Sequence, residues 1–233
     1  MECEDPAVHK MYAKVTYDYF NALMEVHGGH IRRGELREQG TLIQKLSQVS
    51  TEIRSMKEAR AKKVERLRAV LADPKGQLHS FPALPLPLDP TKKVCGIIPE
   101  KSGVFNSSLQ PLRITFVCED KSEYPIIFKT GDDLRQDQLV IQIILLMDKL
   151  MQKENLDLKL TPYKVLATGS EHGLMQFIPS MSLAGVLNEH QNNLLSFFRQ
   201  HHPSSEPGNV YGIDPRVMET YIRSCGKAMF VIY

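Results

Sequence analysis

The residues of this 233-residue chain best suited to chemistry lie in one stretch, Tyr124 to Gln138, reading Tyr-Pro-Ile-Ile-Phe-Lys-Thr-Gly-Asp-Asp-Leu-Arg-Gln-Asp-Gln. An apolar run of strand character ends in Lys129, Gly131 supplies a turn, and Asp132, Asp133, Arg135 and Asp137 follow. A lysine at a strand end faces one side of a sheet. A carboxylate in the first turn of the next helix can reach back to it. Such a pair holds an ammonium group where a phosphate can sit. A plainer account exists: aspartates at a helix start are favourable as caps and against the helix dipole, with no ligand required. From spacing alone the plainer account is the stronger.

The elements that position this stretch can be read from periodicity. Ala7 to Val26 carries Val8, Met11, Tyr12, Val15, Tyr19, Ala22 and Leu23 at helical spacing, with Asp5 as N-cap, Pro6 in the first turn, and Gly28 and Gly29 as the stop. A second helix is expected over Gly40 to Ala72, its narrow stripe being Leu42, Leu46, Val49, Ile53 and Met56. Seven basic residues, Arg54, Lys57, Arg60, Lys62, Lys63, Arg66 and Arg68, stand against Glu58 and Glu65 there. They read first as a solvated face with Glu–Lys pairs, and second as a face for an anionic membrane or partner. Pro82, Pro85, Pro87 and Pro90 fall within Phe81 to Pro90. Proline at that density disfavours helix and ladder alike, so an extended linker is expected.

After it come short strand patterns at Val94–Ile98, Arg113–Cys118, Tyr124–Lys129, Tyr163–Thr168 and Gly173–Ile178. Between the third and fourth lies one helix, Arg135 to Lys153. Its apolar residues Leu139, Val140, Ile141, Ile143, Ile144, Leu145, Leu146, Met147, Leu150 and Met151 run nearly all round, the mark of a buried helix. Ser182–Leu187, Asn192–Gln200 and the chain from Pro215 read helical, with a polar loop over Pro203 to Gly212.

Composition excludes several classes. Hydrophobic residues make up 42% and charged residues 24%, so the chain can bury a core. Lys+Arg of 29 against Asp+Glu of 27 leaves +2, too little to argue for nucleic acid. No apolar run approaches the roughly 18 residues of a membrane span, and the acidic start, Met1 to Pro6, is not a signal peptide. Cys3, Cys95, Cys118 and Cys225 are scattered, which fits a reducing compartment and small apolar roles rather than zinc or disulfide chemistry. No His-Glu-x-x-His spacing occurs.

Three strings carry a family resemblance. Phe128-Lys-Thr-Gly-Asp-Asp-Leu-Arg-Gln-Asp137 resembles the signature of phosphoinositide kinases and their protein-kinase relatives. Leu158-Lys-Leu-Thr-Pro-Tyr-Lys-Val-Leu-Ala-Thr-Gly169 is similar to the strand leading to that family's hinge, and His172-Gly-Leu-Met-Gln-Phe-Ile178 to the hinge itself. Gln176, Asn155-Leu-Asp-Leu-Lys-Leu160 and Ile97-Ile-Pro-Glu100 narrow the likeness to class III phosphatidylinositol 3-kinase. The likeness is strongest from about Cys95 to Ile178.

The resemblance implies an α+β chain: residues 1–75 the end of a helical accessory domain, 76–92 the Pro-rich linker, 93–178 a kinase amino-terminal lobe with hinge, and 179–233 an incomplete carboxy-terminal lobe. The lobe would be a small antiparallel sheet plus a buried helix. It implies an ATP site in which Lys129 contacts phosphate and Asp137 pairs with Lys129. Tyr163 would line the deep end of the adenine pocket. Met175, Gln176, Phe177 and Ile178 would meet the adenine edge through their backbone, and Phe105-Asn106-Ser107 would form the phosphate loop, with Ser107 and backbone amides acting where the family usually has lysine in place of Asn106. ATP with Mg or Mn would be the cofactor set of the parent enzyme.

The family's Asp-Arg-His-x-x-x-Asn catalytic loop and Asp-Phe-Gly metal motif do not occur in these 233 residues. The catalytic and metal-ligating residues are therefore expected to be missing, and the chain to be an inactive piece of a longer catalytic subunit. By family, the parent would phosphorylate the 3-hydroxyl of phosphatidylinositol in endosomal sorting and autophagy. It would be cytoplasmic, peripheral on endosomal or autophagic membranes, and bound to a regulatory pseudokinase-like subunit. The alternative is a non-catalytic module that binds that subunit.

Overall fold

In the computed structural model, which describes residues 5–158, 160–205, 209 and 211–232, Asp5 accepts from the amides of Ala7 and Val8 and starts helix α1 (Pro6–Ala22). Cys3, Lys159, Tyr233 and part of the polar loop after Pro203 lie outside the described residues. A 3-10 turn over Leu23–Glu25 and the left-handed Gly28 (φ 71°) lead into α2 (Gly29–Ser55), which begins well before the expected Gly40. The single helix expected through Ala72 is two. Met56 and Ala59 take extended backbone, with ψ of 137° and 151°, and α3 (Arg60–Ala72) starts anew. The break lets two apolar stripes meet one surface: Leu42, Leu46, Val49 and Ile53 from α2, and Leu67 and Leu71 from α3, are all buried.

That surface is a seven-stranded antiparallel sheet with order β1-β2-β4-β5-β7-β6, β3 pairing on β4. The strands are β1 (Leu84–Leu86), β2 (Asp89–Ile97), β3 (Gly103–Val104), β4 (Leu112–Cys118), β5 (Glu123–Thr130), β6 (Val165–Ala167) and β7 (His172–Gln176). All five strand patterns of the sequence form. The Pro-rich linker is the main correction: Leu84 pairs Val94 and Pro85 pairs Lys93, and Leu84, Leu86 and Leu88 are buried. Pro85 is tolerated because β1 is an edge strand, where a missing N–H need not face a neighbour. Gln39 of α2 donates to the Pro85 carbonyl at 2.7 Å, so a helix side chain serves the edge.

The core is continuous across helices and strands. Leu46, Ile53, Leu67, Leu71, Leu112, Ile114, Phe116, Ile126 and Phe128 are fully buried together. Within it, the Ser50 and Thr130 hydroxyls join α2 to β5 at 2.8 Å. Asp89, buried on β2, binds Lys164 at 2.6 Å and accepts from Thr91 and from the Tyr124 hydroxyl at 3.2 Å. Burial pushes its carboxyl up, but the bonds from Lys164 and Thr91 outweigh that and hold it below the usual carboxylate range. Burial and the Asp89 charge push the Tyr124 phenol well above its ordinary value.

Helix α4 (Arg135–Lys153) forms where expected but is not buried. Leu139, Val140, Ile143, Leu146 and Leu150 are each at least 46% exposed. It is held at its start: Leu134 is fully buried, and Gln138 Oε1 accepts from the Ala167 amide of β6 at 2.8 Å. A helix apolar all round needs neighbours on several sides, and β6 and β7 are short, so the described residues cover little beyond the first turn.

By contact density the chain divides into Met1–Ile143 with Pro162–Phe177, described above, and Ile144–Thr161 with Ile178–Tyr233. The second unit holds the end of α4, α5 (Leu183–Glu189), α6 (Leu194–His201) and α7 (Pro215–Ile232). Ser182 and Asn193 cap α5 and α6, and Phe198 of α6 packs on Tyr221 of α7 at 5.0 Å between ring centres. Cys118 is buried in the first unit, whereas Cys225 is exposed, so the apolar role expected of the cysteines does not extend to it.

Candidate functional site

Alternation along β5 sorts its residues onto two faces. Ile126, Phe128 and Thr130 are buried toward α2, while Ile127 and Lys129 lie on the opposite, half-open face. The ladder extends that face sideways. Arg113, Ile127, Met175 and Val165 stand in one row across β4, β5, β7 and β6, and Lys129, Gly173 and Ala167 in the next. The glycine in the second row is required by space: a Cβ on Gly173 would sit 2.5 Å from the Leu166 carbonyl oxygen.

Lys129 Nζ meets Asp132 Oδ2 at 3.0 Å, both side chains partly exposed. The expected partner was Asp137, in the first turn of α4. The closer carboxylate wins because Gly131, with φ of 75°, turns the chain back over the strand end within three residues. The amides of Gly131 and Asp132 both point at the Glu171 carbonyl, which fixes that turn to the β6–β7 connection. Asp133 does what the plainer reading asked: Oδ1 accepts from the Arg135 amide at 3.0 Å and caps α4. Its hydrogen bonds to the Arg135 guanidinium hold its carboxyl down at about 2. The two readings of the aspartates thus apply to neighbouring residues. An ammonium carries three donors, and one carboxylate occupies one of them, so Lys129 retains capacity for an anion.

Phe105 opens the loop between β3 and β4, and its ring lies 6.4 Å from that of Phe177, beyond β7. Asn106 and Ser107 are exposed at the loop tip. Phe105 N donates to Pro111 O at 2.9 Å and Gln110 N to Ser107 O at 3.1 Å, closing the loop as a tight turn. Tyr163 and Asp137 are both half-buried. Met175 sits in the first row of the open face. The Gln176 amide donates to Lys164 O and the Phe177 amide to Pro125 O, so these hinge amides are engaged within the sheet. Gln176 Oε1 also accepts from the Lys164 amide at 3.1 Å. Ile178 begins the second unit.

Three features escaped the sequence reading. Arg113 places its guanidinium 4.4 Å from the centre of the Phe177 ring, a cation–π contact. Its signal was available: an arginine alternating with buried Leu112 and Ile114 marks the open face of a strand. Asp132 is the partner of Lys129, where the spacing points to Asp137. The basic residues of α2 and α3 are mostly exposed, as a solvated face requires, and Arg66 pairs with Glu52 there, but several also end on the protein's own backbone. Arg54 donates to Thr130 O at 2.8 Å, Arg60 to Val104 O at 2.7 Å and Arg68 to Ser102 O at 3.3 Å. Lys63 donates to Gln110 Oε1 at 2.7 Å and is itself buried. No periodicity announces an arginine that serves a carbonyl forty residues away.

A lysine with spare donors and a turn-bound loop suit a nucleotide's anionic part, and the tilted, contacting rings of Phe105 and Phe177 offer apolar surface for its flat part. Among the described residues no group of three or more His, Cys, Asp or Glu side chains comes together.

Comparison with known proteins settles the family. The sequence profile of the family described as "Phosphatidylinositol 3- and 4-kinase" matches residues 123–233. The fission yeast Schizosaccharomyces pombe phosphatidylinositol 3-kinase pik3 is 46% identical over 234 residues, an alignment covering 100% of this chain and 29% of pik3. The chain belongs to the phosphatidylinositol 3- and 4-kinase family. The root isoform of soybean (Glycine max) phosphatidylinositol 3-kinase is 39% identical, with 100% of this chain and 29% of that protein aligned. Phosphatidylinositol 3-kinase VPS34 of Saccharomyces cerevisiae is 41% identical over 86% of this chain and 23% of its own length. The chain therefore spans less than a third of the length of these relatives. Its mixed architecture, an antiparallel sheet with helices before and after it, agrees with a kinase amino-terminal lobe.

Proposed function

We propose that the chain contributes the phosphate-binding wall of a lipid kinase that moves the γ-phosphoryl of ATP to the 3-hydroxyl of phosphatidylinositol. The observation that carries this reading is the Lys129–Asp132 pair on the half-open face of the sheet. Phosphoryl transfer is chiefly positioning and charge neutralisation. In this reading Lys129 holds the phosphate chain and Asp132 steadies the ammonium. Amides of the Phe105–Ser107 turn border the phosphates. Phe105 and Phe177 flank the adenine, and Met175 with Tyr163 line its inner side. Ile178 and the carbonyls of the hinge meet its edge. Asp137, one turn into α4, is close enough in sequence to exchange with Asp132 as partner once phosphate competes for Lys129. The magnesium or manganese that accompanies ATP is assigned to no residue of the 233.

The 233 residues alone bind ATP weakly and transfer nothing, because no Asp-Arg-His-x-x-x-Asn or Asp-Phe-Gly string is among them. The whole enzyme acts in the cytoplasm, peripherally on endosomal or autophagic membranes, with a regulatory pseudokinase-like subunit. No helix among the described residues is long and apolar enough to cross a membrane, which suits peripheral attachment. The test is titration with ATP, followed by amide chemical shifts, of the wild-type chain and of Lys129→Met. Phosphate-dependent binding that disappears in the variant supports the reading. Unchanged affinity overturns it. Formation of phosphatidylinositol 3-phosphate by the purified chain would overturn the inactivity.

One observation favours a second reading, a non-catalytic module for the regulatory subunit. Met11, Tyr12, Val15 and Tyr19 of α1 are each at least 46% exposed at helical spacing, a surface of the kind that partners cover. Capture of the regulatory subunit by the wild-type chain, lost in Tyr12→Ser with Val15→Ser, supports it; no capture removes it.

A further inference from the structure

The loop that closes over Phe105–Gln110 carries no charged side chain of its own. The cations hydrogen-bonded to it come from α3, a helix on the other side of a forty-residue separation in sequence. Arg60 Nε donates to Val104 O at 2.7 Å, one residue before the loop, and Lys63 Nζ donates to Gln110 Oε1 at 2.7 Å, at its end. Gln110 is the strained member of the turn, with φ of 47°. Its amide donates to Ser107 O at 3.1 Å, so the residue Lys63 holds is the residue that closes the tip.

Lys63 is only 5% exposed. Burying an ammonium costs several kcal/mol unless a charge answers it, and the hydrogen-bond partner here is a neutral amide oxygen. For stability alone, an apolar side chain of similar length would serve better at such a site. The buried charge stands directly behind a turn whose amides, in the reading above, border phosphate. In a poorly screened position its field reaches that turn more strongly than a surface lysine's would.

We propose that Lys63 is a positioning residue for nucleotide phosphate: through Gln110 it fixes the Phe105–Gln110 turn, and its charge adds to the anion affinity of the turn from behind. Arg60 pins the entry of the same turn. The accessory helix thus sets how well the neighbouring sheet holds a polyphosphate. This rests on the reading of the turn as a phosphate-facing loop.

The test compares ATP with adenosine, which shares the base and sugar but has no phosphate. Both are titrated into wild type, Lys63→Met, Lys63→Arg and Arg66→Ala. Arg66 lies on the same helix, paired with Glu52 at the surface. Loss of one charged hydrogen bond predicts about tenfold weaker ATP binding in Lys63→Met, with adenosine affinity held. Lys63→Arg restores the ATP affinity, and Arg66→Ala leaves both ligands unaffected. Should Lys63→Met fail to fold, Gln110→Ala, at a half-buried position of the loop, is used for the same comparison with the same expected split. Equal weakening of ATP and adenosine means a merely structural lysine and overturns the proposal; so does ATP affinity unchanged in Lys63→Met. If wild type binds adenosine but gains nothing from phosphate, the phosphate-loop reading itself fails and the proposal falls with it, an outcome visible before any variant is made.

Discussion

The two faces of the central sheet are built to opposite specifications. On one, Leu112, Ile114, Ile126, Phe128 and Leu174 are fully buried against the stripes of α2 and α3. On the other, Arg113, Ile127, Lys129 and Met175 stand in register but half-open, and α4 leaves its apolar residues exposed. One strand, β5, contributes alternately to both. The lesson is a division of labour at a spacing of one residue. Even-numbered positions hold the fold together, and odd-numbered ones offer chemistry that the fold does not need.

The sharpest way to break this comparison is to truncate neighbours on β5. Phe128→Ala removes a fully buried ring and is expected to cost about 3–5 kcal/mol, whereas Ile127→Ala, on the open face, costs well under half of that. Chemical denaturation measures both, and equal losses would erase the distinction between faces. Next in size is Gly131→Ala. The residue has φ of 75°, and a Cβ would come within 2.6 Å of the Arg54 guanidinium. A loss of about 1–3 kcal/mol is expected, together with weakened ATP binding, since the turn aims Asp132 at Lys129.

Asp89→Asn probes the electrostatic latch of the packed side. Because the folded-state carboxyl titrates below its ordinary 3.8, the charged form stabilises the fold above that pH, and the contribution is lost as pH falls through the folded value. The variant should be less stable by about 1–2 kcal/mol at neutral pH and show a shallower acid limb in melts between pH 5 and pH 2. A parallel acid limb would show that Lys164 and Thr91 gain nothing from the charge. The smallest effect belongs to Val140→Ser on exposed α4, expected within about 0.5 kcal/mol of wild type. A larger loss would mean that α4 is covered in solution.

Much of this was legible in the sequence. Short β-branched runs between turn residues located five strands, and the Phe-Lys-x-Gly-Asp-Asp string located the turn that carries Lys129. The failures have physical causes. The proline of Leu84-Pro-Leu argues against a ladder, but an edge strand asks fewer N–H donors of its residues. The break at Met56–Ala59 contains no glycine or proline, and the packing of two stripes on one sheet overrides local helix propensity there. Whether Asp132 or Asp137 meets Lys129 depends on a left-handed turn of known residue but unknown reach. The service of Arg54, Arg60 and Lys63 to distant carbonyls and amides is tertiary, and no window of sequence holds both partners. Apolar residues all round α4 stated what the helix wants to contact, and not what the described residues give it.

The central question is which face of the sheet meets the nucleotide. Side-chain methyl spectra of the chain, recorded during ATP titration, read this directly. The account predicts shifts at Ile127, Met175 and Val165, diminished in Lys129→Met, with Ile126, Leu112 and Leu174 unmoved. Shifts centred on Ile126, Leu112 and Leu174, or a response that ignores the loss of Lys129, would contradict it.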